Sequence, residues 1–389
     1  MADEPFAGPR PAGRSEGADG HDRMLGATRS QSPRVLILWA DDRSPNLGVR
    51  VLAEGASALA RAVWPQCQIT MQDFAPNAEG FALGRRSIGR ELTQRFITRW
   101  VSGFDYVLDT GAGDSFTDIY GLKRMVMMAA TQRAIREAGV PLILLPQTIG
   151  PFRTAVGRML GVRTLRKAAA VYARDALSAE YGERLAGVKP GAGSDLVFAL
   201  PPQAVEQRSG VLVNVSGLLW RPNPHVSHAE YAGEVRDLIR LLRQSGERVA
   251  LLAHVLDNPS SDNDVVAARE LATEFPDVEV HEPTSLSDAR RIIAASRAVV
   301  GARMHACLNA LSQGVPALPW AYSRKFEPLF SDIGWSHTVD LRHPRGAAER
   351  SVKMLSEPSV NGEAERANAR GRWLLDAVVR DFARTFGDG

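Results

Sequence analysis

From Pro33 onward, short uninterrupted apolar runs alternate with longer segments whose apolar residues recur at helical spacing. A strand that is apolar on both faces must be covered on both faces. Strand–helix alternation supplies that cover, so the pattern predicts parallel sheets with helices on either side. RVLILWA (34–40), QITMQDF (68–74), DYVLDT (105–110), PLILLPQ (141–147), AAVYAR (169–174) and GSDLVFAL (193–200) read as the strands of a first unit. LTQRFITRWVSG (92–103) reads as one of its helices. PPQAVEQRSG (201–210) is a polar break with paired prolines, and the pattern then restarts with GVLVNVS, RVALLAHV, VEVHEP, AVVGAR and, as the last strand, VPALPWAY (315–322). The expected architecture is α/β: two doubly wound Rossmann-like domains, 33–203 and 204–344, facing across a cleft. A helical extension over 345–389 is apolar on one side through Met354, Leu355, Trp373, Leu374, Leu375, Val378 and Phe382. Residues 1–32 are rich in Gly, Pro, Ser and Arg without periodicity and read as a disordered arm. Ligands of such sheets bind beyond the C-terminal strand ends, so the cleft between the domains is the default site.

Composition removes several function classes. The 389 residues are 44% hydrophobic and 23% charged, and no stretch approaches the roughly 18 apolar residues of a membrane span. Membrane contact is therefore expected to be peripheral at most. The two cysteines, Cys67 and Cys307, fit neither a disulfide framework nor a zinc spacing. The first residues are acidic where a secretory signal would be basic, and a cytoplasmic setting is expected. The formal charge of +3 is spread along the chain without a Lys/Arg block flanked by aromatics, which gives nucleic-acid binding only weak support, and none is expected. Only five of the 47 basic residues are lysines, so no arginine is informative by type alone.

The densest cluster is GARMHACLNALSQGVP (301–316). Its strand ends near Gly301, which places Arg303, Met304 and His305 on the turn that opens the next helix. A guanidinium fork suits phosphate or carboxylate, and the free N–H groups of a helix start add positive potential. His305 stands beside that pocket and can exchange a proton near neutral pH. The bland alternative is an arginine capping carbonyls and a histidine filling the core. DTGAGDSF (109–116) follows a strand: Gly111 and Gly113 allow close backbone approach, and Asp114 suits sugar hydroxyls, although a plain turn explains the glycines as well. Asn46 in PNLG (45–48) reads equally as part of a simple loop before a helix. Gln147 in LPQTIGPF is expected to point its amide into the rim, and Arg174 in ARDALS follows a strand. Lys325 in YSRK suits a phosphate or a solvated helix face, and Arg221 is a further rim arginine. His254 with the acidic loop DNPSSDND reads as solvated loop in preference to a metal site. Walker A, HExxH and GxGxxG patterns do not occur, and no GxSxG elbow stands at a strand-to-helix turn.

Taken in order, these loops resemble the polysaccharide pyruvyl transferase family, whose members attach pyruvate as a ketal to sugars using phosphoenolpyruvate. The likeness runs from about Arg34 to Leu341. It is carried by Asn46-Leu47-Gly48, Gly111-Ala112-Gly113, Pro146-Gln147 with Gly150-Pro151, Arg174-Asp175 with Ser178, and Asp195 with Phe198. Gly301-Ala302-Arg303-Met304-His305, Gly314-Val315-Pro316 and Tyr322 with Lys325 complete it. The family often has Gly-Asp where this chain has Gly48-Val49, and usually Gly-Leu-Arg where this chain has Gly301-Ala302-Arg303.

The resemblance implies a fold like that of two-domain GT-B glycosyltransferases. It implies phosphoenolpyruvate as co-substrate, no metal or other cofactor, and a sugar acceptor in a polysaccharide or glycolipid precursor, lipid-linked ones included. Arg303 and His305 would bind and act on phosphoenolpyruvate, with Asp114 and a second arginine, Arg174 before Arg221. Met304, Gly111, Gly113, Asn46, Gln147 and Lys325 would line the substrate site. A nucleotide-sugar glycosyltransferase and a non-catalytic sugar-binding relative remain as alternatives, and the oligomeric state stays open.

Overall fold

The computed structural model describes residues 32–76, 81–323 and 325–387; apart from Ser32, the proposed N-terminal arm lies outside them. Strands β1 (Arg34–Leu38), β2 (Gln68–Gln72), β3 (Tyr106–Asp109), β4 (Leu142–Gln147), β5 (Ala170–Ala173) and β6 (Gly191–Ala192) form one sheet in the order β2-β1-β3-β4-β5-β6. Strands β7 (Val211–Asn214), β8 (Val249–Leu252), β9 (Glu279–His281), β10 (Ala298–Gly301), β11 (Ala317–Ala321) and β12 (Val339–Asp340) form the other, in the order β12-β11-β10-β7-β8-β9. Every pairing is parallel. In each sheet the strand order reverses once, between β1 and β3 and between β7 and β10. At such switch points the loops leave in opposite directions and open a crevice.

Three sequence expectations are corrected. GSDLVFAL is not a strand: β6 ends at Ala192, and the Asp195 side chain accepts from the Val197 amide to start a 3-10 turn at Leu196–Ala199. The helix expected over 92–103 is two, Arg85–Gln94 and Phe96–Val101, broken at Arg95, whose φ of 48° lies in the left-handed region. The extension over 345–389 is not one unit. The helix Ala347–Leu355 packs on His228–Gln244 of the second sheet's layer, whereas Val360–Phe386 crosses back onto the first.

That crossing welds the two halves together. One continuous core contains Val51 and Leu59 of the helix Leu47–Val63, Leu308 and Leu311 of Met304–Leu311, and Val378 and Phe382 of the last helix. Trp64 stacks on Tyr106, meets Phe382 edge-on at 5.0 Å between ring centres, and donates its indole N–H to the Phe386 carbonyl at 3.1 Å. Trp373, expected on the apolar side, is half exposed with Arg370 over its ring. The connection between the sheets is tied down by two arginines: Arg372 donates to the carbonyls of Phe198, Leu200 and Ser312, and Arg290 to that of Pro201. Among the described residues no helix is long and apolar enough to cross a membrane.

Phe382 is fully buried at this seam. Phe382→Ala is expected to cost about 3–5 kcal/mol through the lost transfer energy and the cavity left behind. Equilibrium denaturation measures the loss, and limited proteolysis should show the last helix released first.

Candidate functional site

The two switch points face each other. Backbone bonds fasten the loop after β1 to the loop after β8: the Leu47 amide donates to His254 O at 3.1 Å and the Leu256 amide to Pro45 O at 2.8 Å. Between them lies a cleft of about 350 Å³ whose lining includes Asp114, Arg174, Arg303, His305 and Lys325. A larger hollow of about 620 Å³ beside Ser331 and Arg342 sits away from both switch points.

Arg303 caps the start of the helix Met304–Leu311, its own amide held by Asn214 Oδ1 at 3.1 Å. Its guanidinium is not free. Nε lies 3.1 Å and Nη2 2.7 Å from Asp264 Oδ1, and Nη2 also donates to Asp262. The fork edge expected to grip an anion is therefore occupied, and Nη1 is the nitrogen that bonds no described residue. Asp264 is fully buried and also accepts from the amides of Gly217, His254 and Val255 and from Asn214 Nδ2. Burial works to raise its pKa, but the Arg303 charge outweighs it and holds the carboxyl below the ordinary range. The acidic loop expected to be merely solvated in fact supplies the clamp on this arginine. The amides of Met304 and His305 donate to no described residue, so the positive end of this helix stays available at the cleft.

His305 is second in the same helix. Its Nε2 lies 3.3 Å from Asp195 Oδ2, and Arg174 Nη1 lies 3.6 Å from the same oxygen. The three atoms approach without an aligned hydrogen bond between them. Burial raises the Asp195 pKa, but His305 and then Arg174 pull it below the usual value, so the carboxylate stays ionised behind the ring. The other ring nitrogen, Nδ1, faces Gly48: a Cβ there would stand 2.8 Å from it. Glycine at 48 thus leaves room at the nitrogen not engaged by Asp195. His254, one layer deeper, is driven down to about 3 by burial and by the nearby His305, and its Nε2 lies 3.2 Å from Asn309 Nδ2.

On the opposite wall Asp114 accepts from Tyr120 Oη at 2.8 Å and pairs with Lys325 Nζ at 3.1 Å, bridging the two halves. Burial alone would raise the Asp114 carboxyl; Lys325 and Arg174 reverse this and keep it low.

Arg303, His305, Arg174, Asp114, Lys325, Met304, Gly113 and Asn46 all line this cleft. Asn46 does so as the cap of Leu47–Val63, its Oδ1 accepting from the Gly48 amide at 2.9 Å. Three expectations fail. Arg221 turns away and pairs with Glu270 on the outer surface, because its short helix Gly217–Trp220 directs it to the far side of that layer. Gln147 points inward, not to the rim: it is buried and donates to Asp109 O at 3.0 Å. Gly111, at φ 55°, does not serve a ligand; a Cβ there would overlap the Gln147 amide oxygen. The site list drawn from sequence lacks Asp195, which sits in a quoted motif, and Asp264 and Asp262, whose only signal is an acidic loop after a strand.

The model of the polysaccharide pyruvyl transferase family matches residues 46–324. The chain belongs to this family. The matched span contains every residue of the cleft described above except Lys325. No curated protein matches the chain by sequence. Among solved structures, the fold is similar to a putative UDP-N-acetylglucosamine 2-epimerase from Listeria monocytogenes, with a TM-score of 0.58 at 14% identity over 90% of this chain and 95% of that one. It is similar to UDP-GlcNAc 2-epimerase from Neisseria meningitidis bound to UDP-GlcNAc, at 0.58 and 11% over 90% and 99%. It is also similar to sucrose-phosphate synthase from Thermosynechococcus elongatus, at 0.56 and 11% over 91% and 98%. At such identities the likeness is one of fold, and it places this transferase family member in the GT-B architecture.

The buried charges of the site set an acid limit on stability. Asp264 has a folded pKa below its unfolded value of 3.8, so its contribution is full above about pH 4 and is lost as pH falls through the folded value. His254, also lowered, loses stability as pH falls from its unfolded 6.5 toward 3, because only the unfolded chain takes up the proton there. Melting temperatures between pH 7 and pH 3 should fall in both windows. H254Q should flatten the upper one. D264N, by uncovering a buried guanidinium, should cost about 3 kcal/mol at pH 7 and weaken the lower one.

Proposed function

We propose that this family member transfers the pyruvyl group of phosphoenolpyruvate onto two hydroxyls of a sugar in a polysaccharide or glycolipid precursor, forming a ketal and releasing phosphate. The observation that carries the reading is Arg303 and His305 presented together at the start of one helix, with Asp195 behind the imidazole. The donor is a phosphate and a carboxylate on three carbons. Arg303, Arg174, Lys325, His305 and the helix start converge where such a polyanion would lie.

In this reading a first sugar hydroxyl adds to C2 of the donor and gives up its proton, while the methylene carbon takes a proton from His305. Phosphate then leaves C2 with its electron pair, its charge met by Arg303 Nη1 and the helix amides. The second hydroxyl closes the ketal; of the two protons that the hydroxyls give up, one restores His305 and the other leaves with the phosphate. Asp195 holds the imidazolium in place, and the ionised Asp114 accepts hydrogen bonds from the acceptor. Phosphoenolpyruvate enters as co-substrate.

The test is phosphate release from phosphoenolpyruvate across a panel of sugar acceptors, run beside nucleotide release from UDP-sugars. Phosphate release with ketal formation is expected. Nucleotide release without it would make the protein a glycosyltransferase, and sugar binding without turnover of either donor a binding relative. H305A should lower kcat about 10²–10⁴-fold; a parental rate would remove His305 from the mechanism.

A further inference from the structure

We propose that Arg124 is a further substrate-binding residue of this cleft, the receptor for an oxyanion, phosphate or carboxylate, that the other cations do not fully neutralise. The inference rests on the cleft being the transferase's active site. Arg124 lies in the first turn of the helix Leu122–Glu137, directly after the loop that carries Asp114, and lines the cleft.

The charges of the lining are unequal in one respect. Arg303 is matched by Asp264 and Asp262, Arg174 and His305 share Asp195, and Lys325 is matched by Asp114. An anion that approaches any of these must compete with a carboxylate already in place. Arg124 is the lining cation whose side chain has no ion pair and no hydrogen bond among the described residues, and its buried Nε has no partner among them. Asp73 feels its charge, but that carboxyl is pushed up chiefly by burial, and no ion pair joins the two. A half-buried guanidinium without a counter-ion is costly to keep.

Its posture is fixed. The guanidinium carbon lies over the Phe74 ring, 4.4 Å from its centroid, a cation–π contact that holds the group against the ring. Phe74 itself stacks on Trp39 at 4.5 Å, at the end of β1. The cation is thus held from behind by an aromatic pair at the first switch point, across the cleft from Arg303 and His305. An oxyanion at this place comes either from the donor, as its phosphate or carboxylate, or from an acceptor carrying a sugar phosphate.

Calorimetric titrations of wild type, R124A, R124Q and R124K with phosphoenolpyruvate and with glucose 1-phosphate separate these sources. Loss of at least about tenfold in affinity, the scale of one charge-assisted hydrogen bond, is expected in R124A and R124Q for one ligand, with partial recovery in R124K. Loss for phosphoenolpyruvate assigns Arg124 to the donor, and loss for glucose 1-phosphate assigns it to the acceptor. Unchanged affinity for both ligands in R124Q, with an unchanged melting temperature, overturns the proposal. If wild type binds glucose 1-phosphate but not phosphoenolpyruvate, the donor assignment falls while the second ligand still tests Arg124.

Discussion

A guanidinium taken out of water has to be met by a carboxylate held in place, and the pair formed by Arg303 and Asp264 does this at the point where three loops meet. Asp264 collects amides from the loops after β7 and β8, and Arg303 brings the turn after β10 to it. Removing either partner strands the other charge in a buried place, which is far costlier than the pair's net worth. The interaction therefore fixes loop geometry more than it adds stability. His305 inherits that geometry, since it is two residues along in the helix that Arg303 starts.

The first domain meets this arrangement with a gap. Gly48 leaves room beside His305 Nδ1, and Asp195 approaches Nε2 from the same side. Both residues belong to segments packed into the common core, Gly48 on the helix Leu47–Val63 and Asp195 at the 3-10 turn that packs against that helix. The last helix covers this turn and is tied to it through Arg372. The placement of an imidazole between two domains is thus secured by apolar packing well away from the cleft, and cleft geometry and domain docking are one problem.

The wall opposite Arg303 follows a different rule. The turn 111–113 runs through three consecutive positive φ values, Ala112 included, and turns its amides inward: Gly111 donates to Asp109 Oδ1, Gly113 to Thr110 O and Ser115 to Gly111 O. A glycine-rich turn whose amides are consumed by its own fold is no phosphate cradle. What this wall offers is side chains, Asp114 and Arg124, the first neutralised by Lys325 from the second domain and the second by no acid among the described residues.

The sequence by itself determined the two-sheet architecture, the break between the sheets and the strand-to-helix turn bearing Arg303 and His305. Apolar periodicity and turn chemistry are local, and each of these features is written in fewer than 20 or so consecutive residues. It also carried the ordered loops on which the family resemblance rests. Only the tertiary structure decided which charges cancel. Asp264 and Arg303 are 39 positions apart, Asp195 and His305 further still, and nothing in their neighbours announces the pairing. The same limit explains the misread residues: Gln147 and Gly111 lock onto each other, Arg221 finds Glu270, and the last helix returns to the first domain. A side chain's partner is set by how whole layers pack, and burial, which gives a charge its energetic weight, exists only after they have packed.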